Sequence, residues 1–352
     1  MQAGPTLVDV ARRAGVSIAT VSNLLNGRAS RMRAETRLRV EGAIVALGYQ
    51  PNRAARLLRT GQAQMIGLLV PSISNGSYAA LAREIEIAAR EAHDHRLIVS
   101  YTYRNPELER SLLDDLLSHG VRGAIVVSAS GLQDAAGLAG RGLVAVGYDN
   151  HAEAGMPLVI DHVSVDHAAA AALAVEHLTA NGHRSLAFLS PAGRTLSRAA
   201  KIQGLQEAAR RAGARAAVLE GQGSSAFGDN ELAEIGEALA AWVVAHPDHP
   251  TGLVTVNDMV AIGLLAGLQK ARLCCPEEFS VIGMDALPLT AYTSPALTSV
   301  SSPLKEMARL MVERIAQRTA DPALSAGEFV LSPSLVVRAS VTRAPMPKGE
   351  RP

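Results

Sequence analysis

The chain has 352 residues, 48% hydrophobic, 3% aromatic and 19% charged, which is enough apolar material for buried cores and too much chain for one, since single cores stop growing near roughly 250–300 residues. It shows no export-leader pattern and no apolar run near the roughly 18 residues of a membrane span, so the expectation is a cytoplasmic protein. The formal charge of +1 hides a division: ten arginines, no lysine and three acids give residues 1–60 a net +7, leaving −6 for residues 61–352.

A basic head on an acidic body has a polyanion as its natural partner. The head reads TLVDVARRAGVSIATVSNLLNGRASRMRAETRLRVEGAIVALGYQ from Thr6. Val8 to Ala14 has helical spacing, Gly15 supplies a turn that a β-carbon would crowd, and Ser17 can cap a second helix running through Asn26. A third helix is expected from Ala34 to Ala46, with Glu35, Arg37, Arg39 and Glu41 outward. Leu7, Val10, Ala11, Ala14, Val16, Val21, Leu25, Ile44 and Leu47 would close a three-helix core. That leaves Ser17, Thr20, Ser22 and Asn23 polar near the start of the second helix, where unpaired N–H groups favour a phosphate. The pattern is a helix-turn-helix. After Gln50-Pro51, Asn52 to Leu58 spells a helix too short to be stable alone in water.

From Ala63 the pattern changes to alternating strands and helices. Apolar runs at Met65–Val70, Arg96–Tyr101, Gly123–Val127 and Val144–Val146 read as strands, with helices over Ala79–His93, Pro106–His119 and Leu132–Gly140. After a broken region from Asp149 to Pro157, a second set has strands at Val163–Val165, Leu186–Leu189, Ala216–Leu219, Gly252–Thr255 and Val281–Gly283. Its helices are Ala168–Asn181, Ala199–Ala212, Asn230–Ala245 and Met259–Arg272. Strands at Thr298–Val300 and Ser334–Arg338 flank a helix at Leu304–Gln317, and the tail from Ala344 reads as disordered. This is the βαβ rhythm of parallel sheets.

Open parallel sheets bind ligands beyond the C-terminal ends of their strands. The polar residues there are Ser72, Ser74, Asn75 and Tyr78, then Ser128, then Tyr148, Asp149 and Asn150. In the second set they are Arg198, Lys201, Asn257, Asp258 and Asp285. Each also has a structural reading: Asp258 as a helix N-cap, Asp285 as acceptor for backbone donors, Tyr78 as a core ring and Lys201 as a solvated residue. His183 and Arg184 read as turn chemistry. Cys274 and Cys275 are adjacent, which suits neither a disulfide nor a zinc site, and they read as a reduced pair. No phosphate-binding glycine loop, nucleophile elbow or zinc motif is present, and no nucleophile, base and orienter can be assembled, so an enzyme is not expected and no cofactor or metal is called for.

TLVDVARRAGVSIATVSNLLNG, ETR and LGYQPNRAARLLRTG resemble the DNA-binding and hinge region of the lactose-repressor (LacI/GalR) family of bacterial transcriptional regulators, and the likeness extends through nearly the whole chain. The resemblance implies a helix-turn-helix headpiece over residues 1–50 and a hinge helix and linker over residues 51–62. A two-lobed periplasmic-binding-protein-like body of parallel sheets flanked by helices would follow over residues 63–343, ahead of a tail of residues 344–352. It implies a homodimer or tetramer on palindromic double-stranded operator DNA, acting as a repressor switched allosterically by a sugar, polyol or nucleoside-like effector. Ser17 and Thr20 would touch phosphates, while Ile18, Ala19 and Asn23 face base edges. Thr6, Leu7, Ser22, Asn26, Asn52, Arg53 and Ala55 complete the DNA-contacting set, with Leu58 wedging between base pairs of the minor groove.

From those strand ends the effector candidates are Ser72, Tyr78, Ser128, Asp149, Arg198, Lys201, Asn257 and Asp285, and the resemblance supports Lys201, Asn257 and Asp285 among them. Lys201 stands where most members have Arg, Met284 replaces an aromatic, Ala286 a second Asp and Ser72 a frequent Asp. Lys for Arg loses a planar two-pronged donor. The competing functions are a solute-binding protein or an enzyme on the same two-lobed body, against which the basic head argues.

Overall fold

The computed structural model describes residues 5–25, 29, 32–49, 64–127, 135–149, 158–193, 195–221, 229–246 and 250–345. It forms two units, Met1–Ala63 and Gln64–Pro352. In the first, α1 (Leu7–Ala14), α2 (Ile18–Leu25) and α3 (Ala34–Leu47) make the expected helical head. Thr6 and Asp9 close a capping box on α1: Thr6 N–H donates to Asp9 Oδ2 (2.9 Å), and Asp9 N–H donates to Thr6 Oγ1 (3.4 Å). These bonds satisfy donors that a helix start leaves bare. Gly15 ends α1 at φ 64°, a conformation that L side chains resist. Val10, Ala11, Ala14 and Val21 form the core with Val40, Ala43 and Tyr49, while Leu7, Val16, Leu25, Ile44 and Leu47 pack around them. Tyr49 was not legible as core, because it lies beyond the last periodic position of α3.

The second unit contains two six-stranded sheets. In the first, β1 (Met65–Val70), β2 (Arg96–Tyr101), β3 (Gly123–Val127), β4 (Val144–Tyr148) and β5 (Asp161–Val165) alternate with α4 (Gly76–His93), α5 (Pro106–Ser118) and α6 (Ala135–Gly140). The second is built from β6 (Ser185–Pro191), β7 (Arg215–Gly221), β8 (Gly252–Thr255), β9 (Ser280–Met284) and β10 (Thr298–Ser301), with α7 (His167–Ala180), α8 (Leu196–Arg211), α9 (Asp229–Ala245) and α10 (Asp258–Lys270). α11 (Leu304–Ala320), β11 (Glu328–Leu331) and β12 (Ser334–Val336) finish the chain. The strand orders are β11-β5-β4-β3-β1-β2 and β12-β10-β9-β8-β6-β7.

Two expectations are corrected here. β5 does not open the second lobe; it pairs in parallel with β4 and β11 in the first sheet. The break that precedes it therefore lies, in sequence, between two paired strands of one sheet. β11 was not anticipated: only every second residue of its four is covered, as at a sheet edge, so it lacks a continuous apolar run. The second sheet is also not wholly parallel, since β12 runs antiparallel to β10.

The chain passes between lobes three times, between β5 and α7, between β10 and α11, and between β11 and β12. Met307, Met311 and Ile315 of α11 join the core of the first lobe, whereas Ala171, Val175 and Leu178 of α7 join that of the second. Buried Asp161 ties α11 down, paired with Arg314 (2.8 Å) and Arg318 (3.2 Å) and accepting the Gly327 N–H (2.9 Å).

His183 is a buried pin rather than turn chemistry: Nδ1 lies 2.9 Å from Thr251 Oγ1, and Nε2 lies 2.9 Å from Ser280 Oγ and 3.1 Å from Thr342 O. Burial lowers its pKa, keeping the ring neutral against the Thr342 carbonyl, which pulls the other way. Ala344, expected to start a loose tail, donates its N–H to Asn181 O (2.8 Å); residues 346–352 lie outside the described residues. Among the described residues no helix is long and apolar enough to cross a membrane.

Candidate functional site

α2 turns Val21 into the core and leaves Ser17, Ile18, Ala19 and Asn23 exposed, with Thr20 and Ser22 half-buried. Ser17 Oγ accepts the Thr20 N–H (3.2 Å) and meets Thr20 Oγ1 at 2.9 Å, so it caps the helix as its sequence suggests. Ile18 is 48% exposed, an apolar side chain held on an otherwise polar helix start. Thr6 is engaged in its capping box, and its hydrogen bond is the main reason the Asp9 carboxyl lies below the usual range. Leu7 is half-buried against the core. Asn26, Asn52, Arg53, Ala55 and Leu58, and with them the hinge expected over residues 51–62, lie outside the described residues.

In the second unit the strand ends of both lobes face one polar cleft with about 1050 Å3 of atom-free space, part of it open to solvent. Six of the eight residues expected to hold an effector line it: Tyr78, Asp149, Arg198, Lys201, Asn257 and Asp285. Ser72 does not; its hydroxyl turns to Ser74 Oγ (2.8 Å). Ser128 and Asn150 lie outside the described residues. The first lobe adds Ser77, Arg104, Tyr148 and His167, and the second adds Thr195, Ser197 and Ser302. Arg104, His167 and Ser302 follow β2, β5 and β10, strand ends with no candidate in the sequence reading: β2 ends on an exposed tyrosine, and β5 reads as part of the other lobe.

Backbone strain gathers at this cleft. Seven non-glycine residues have positive φ among the described residues; Asp94 and Arg272 sit at helix C-termini, but Tyr103, Arg104, Asp149, Asp285 and Ala286 all sit at strand ends on or beside the lining. Each such residue costs about 1–3 kcal/mol and persists only where its surroundings over-determine it. For Asp285 and Ala286, whose φ values are 118° and 51°, the surroundings are visible. Ser299 Oγ accepts the Ala286 N–H (3.0 Å) and donates to Asp258 Oδ1 (2.5 Å), while Asp258 Oδ2 accepts the Leu287 N–H (2.7 Å).

Asp258 is therefore not the cap of α10. Asn257 is the cap, its side chain accepting the Val260 N–H (3.0 Å), and Asp258 is fully buried behind the loop that presents Asp285. Burial pushes its carboxyl up to about 7, against the opposing pull of Ser299, Leu287, Arg338 and Lys201.

The lining charges are arranged across the cleft. His167 Nε2 donates to Asp149 Oδ1 (2.7 Å), joining the first crossing between lobes to the end of β4. Burial raises the Tyr78 and Tyr148 phenols, and the nearby Asp149 and Asp285 carboxylates raise both further, which keeps the two rings neutral donors. Lys201 is half-buried, and its Nζ donates to Val256 O (3.0 Å). Tyr78 is both core and lining, packed on the first-lobe core with its ring at the cleft. The arrangement can grip a small polar molecule from two sides. Cys274 and Cys275 are free thiols, and burial pushes Cys275 up to about 12.

Residues 6–52 match the model for bacterial regulatory proteins of the lacI family, and residues 175–341 match that for the periplasmic binding protein-like domain. The chain is 32% identical to the HTH-type transcriptional regulator reg1 of Streptomyces lividans, covering 97% of this chain and 98% of that one. The Lac repressor dimer bound to operator and the anti-inducer ONPF superposes with a TM-score of 0.78 at 25% identity, covering 97% of this chain and 100% of that one. A LacI family regulator from Enterococcus faecium with bound ribose matches at a TM-score of 0.67 and 25% identity, over 79% of this chain and 99% of that one.

Proposed function

The chain belongs to the lacI family of bacterial regulatory proteins, and from that premise we propose that its two-lobed cleft is the effector site that switches operator binding. The protein is a DNA-binding transcriptional regulator. It acts in the cytoplasm as a repressor and not as an enzyme. It binds palindromic operator DNA as a homodimer, a form in which hinge segments from two copies can meet. Ser17 and Thr20 touch phosphates with Thr6, Leu7, Ser22 and Asn26 beside them, and Ile18, Ala19 and Asn23 read base edges. Asn23 favours adenine, because its amide pairs in two places with adenine N6 and N7. Asn52, Arg53 and Ala55 place the hinge on the minor groove for Leu58 to wedge.

The effector is a small polyol or sugar-like molecule, held by Tyr78 and Asp149 from one lobe and by Arg198, Lys201, Asn257 and Asp285 from the other. A ligand that touches both lobes favours the closed form by its difference in affinity for the two states. Closure bends the three crossings and alters whether two hinges can pair over DNA, which couples the sites reciprocally. The observation that carries this reading is the concentration of strained backbone at the strand ends of both lobes around one polar cleft.

The test begins with a ligand found by the rise in melting temperature that binding to the folded state produces. Operator affinity is then measured by fluorescence anisotropy with and without that ligand. Lys201→Ala and Asp285→Ala should each abolish the ligand's effect and leave ligand-free operator affinity within about threefold of the parent. A normal response in both variants would put the effector elsewhere.

A further inference from the structure

We propose that the effector carries an anionic group, a carboxylate or a phosphate, held between Arg104 of the first lobe and Arg198 of the second. This rests on the cleft being the effector site. Arg104 follows β2 in left-handed backbone at φ 54°, and its guanidinium hydrogen-bonds Tyr78 at the cleft wall. Arg198 lies in the first turn of α8, its Nη1 donating to the Gly193 carbonyl. Its Nε is buried and has no hydrogen-bond partner among the described residues.

Arg104 and Arg198 line the same cleft, one from each lobe, and their like charges repel. Burial is the main reason that the charged form of Arg198 is disfavoured, Glu220 opposes this, and Arg104 adds to it. A neutral polyol would leave that repulsion in place. A carboxylate or phosphate offsets it, because each planar fork can then donate to an anionic oxygen. The charge count agrees: Arg104, Arg198 and Lys201 face Asp149 and Asp285, so the lining is cationic even with both carboxylates ionised. Ser77, Thr195 and Ser197 supply neutral hydroxyls on the same walls. The acids can take the hydroxyls of the rest of the molecule, since an ionised carboxylate only accepts. An anion bridging Arg104 and Arg198 also joins the two lobes directly.

The full chain is titrated by calorimetry with two matched sets of probes: ribose, ribonate and ribose 5-phosphate, then glucose, gluconate and glucose 6-phosphate. At least one acid or phosphate should bind tenfold or more tightly than its neutral counterpart, with a preference that shrinks as salt rises; which arm wins identifies the anion. In Arg198→Gln and in Arg104→Gln that preference should fall to threefold or less, with near-parental melting temperature in chloride showing that the variant is folded. In parallel, inorganic phosphate replacing chloride at constant ionic strength should raise the melting temperature of the parent more than that of Arg198→Gln. A neutral sugar bound as tightly as both its anionic counterparts overturns the anion and leaves the effector site standing. An anion preference unchanged in both arginine variants overturns the arginine pair. No probe bound, together with an equal response to phosphate in parent and variant, overturns the inference altogether, and the effector site is then decided by the Lys201 and Asp285 variants.

Discussion

Asp258 shows how much a single carboxyl can decide in this fold. Its pKa of about 7 lies above the ordinary value of 3.8, so the folded chain keeps a proton that the unfolded chain has released. The stability linked to that proton is complete below about pH 4 and is lost as pH rises through 7, at up to roughly 1.4 kcal/mol per pH unit. Asp258→Asn keeps an acceptor for Leu287 without the titration, so its melting temperature should fall less steeply than the parent's between pH 4 and pH 7. Parallel curves for the two proteins would show that Asp258 does not titrate in that window. The sequence offered this residue as a cap because an Asp at the start of an apolar helix usually is one. The preceding Asn257 is equally able to cap, and only burial distinguishes the two.

At the scale of the element, the helix pair of the second lobe depends on having no side chain at its crossing. A Cβ at Gly263 would land on the Ala233 carbonyl, and one at Gly236 on the Val260 carbonyl, so α9 and α10 touch backbone to backbone. Gly263→Ala must push the helices apart, and overpacking of this kind costs about 1–3 kcal/mol. A drop of several degrees in melting temperature is expected; an unchanged value would mean that the crossing relaxes freely. The glycines are plain in the sequence, but inside helical patterns they read only as weak points. Elements with continuous apolar runs, such as β1 and β3, were legible for the opposite reason: burial on both faces leaves no polar alternation to confuse the period. β11 was not, because a four-residue edge strand has too few covered positions to form a pattern.

At the scale of the whole molecule, the proposed switch couples a cationic head to the cleft between lobes. Leu58→Ala should weaken operator binding tenfold or more, about 1.4 kcal/mol, while ligand affinity measured by calorimetry stays within about threefold of the parent. Unchanged operator affinity would remove Leu58 from the DNA contact. Operator affinity should also fall steeply with salt, as it does wherever arginines displace counterions from phosphates.

By itself the sequence determined the helical head, its excess of arginine, the alternation of strands and helices, and six of the eight residues it offered for the cleft. Those features are local: a capping box, a positive-φ glycine and an apolar run each act within a few residues of themselves. Tertiary structure alone decided that β5 belongs to the first lobe, that Arg104 and His167 reach the cleft, and that Asp258 stands behind Asp285 instead of capping its own helix. These outcomes depend on which distant backbone or charge a group meets, and strand pairing and burial bring such partners together across separations that no local pattern records.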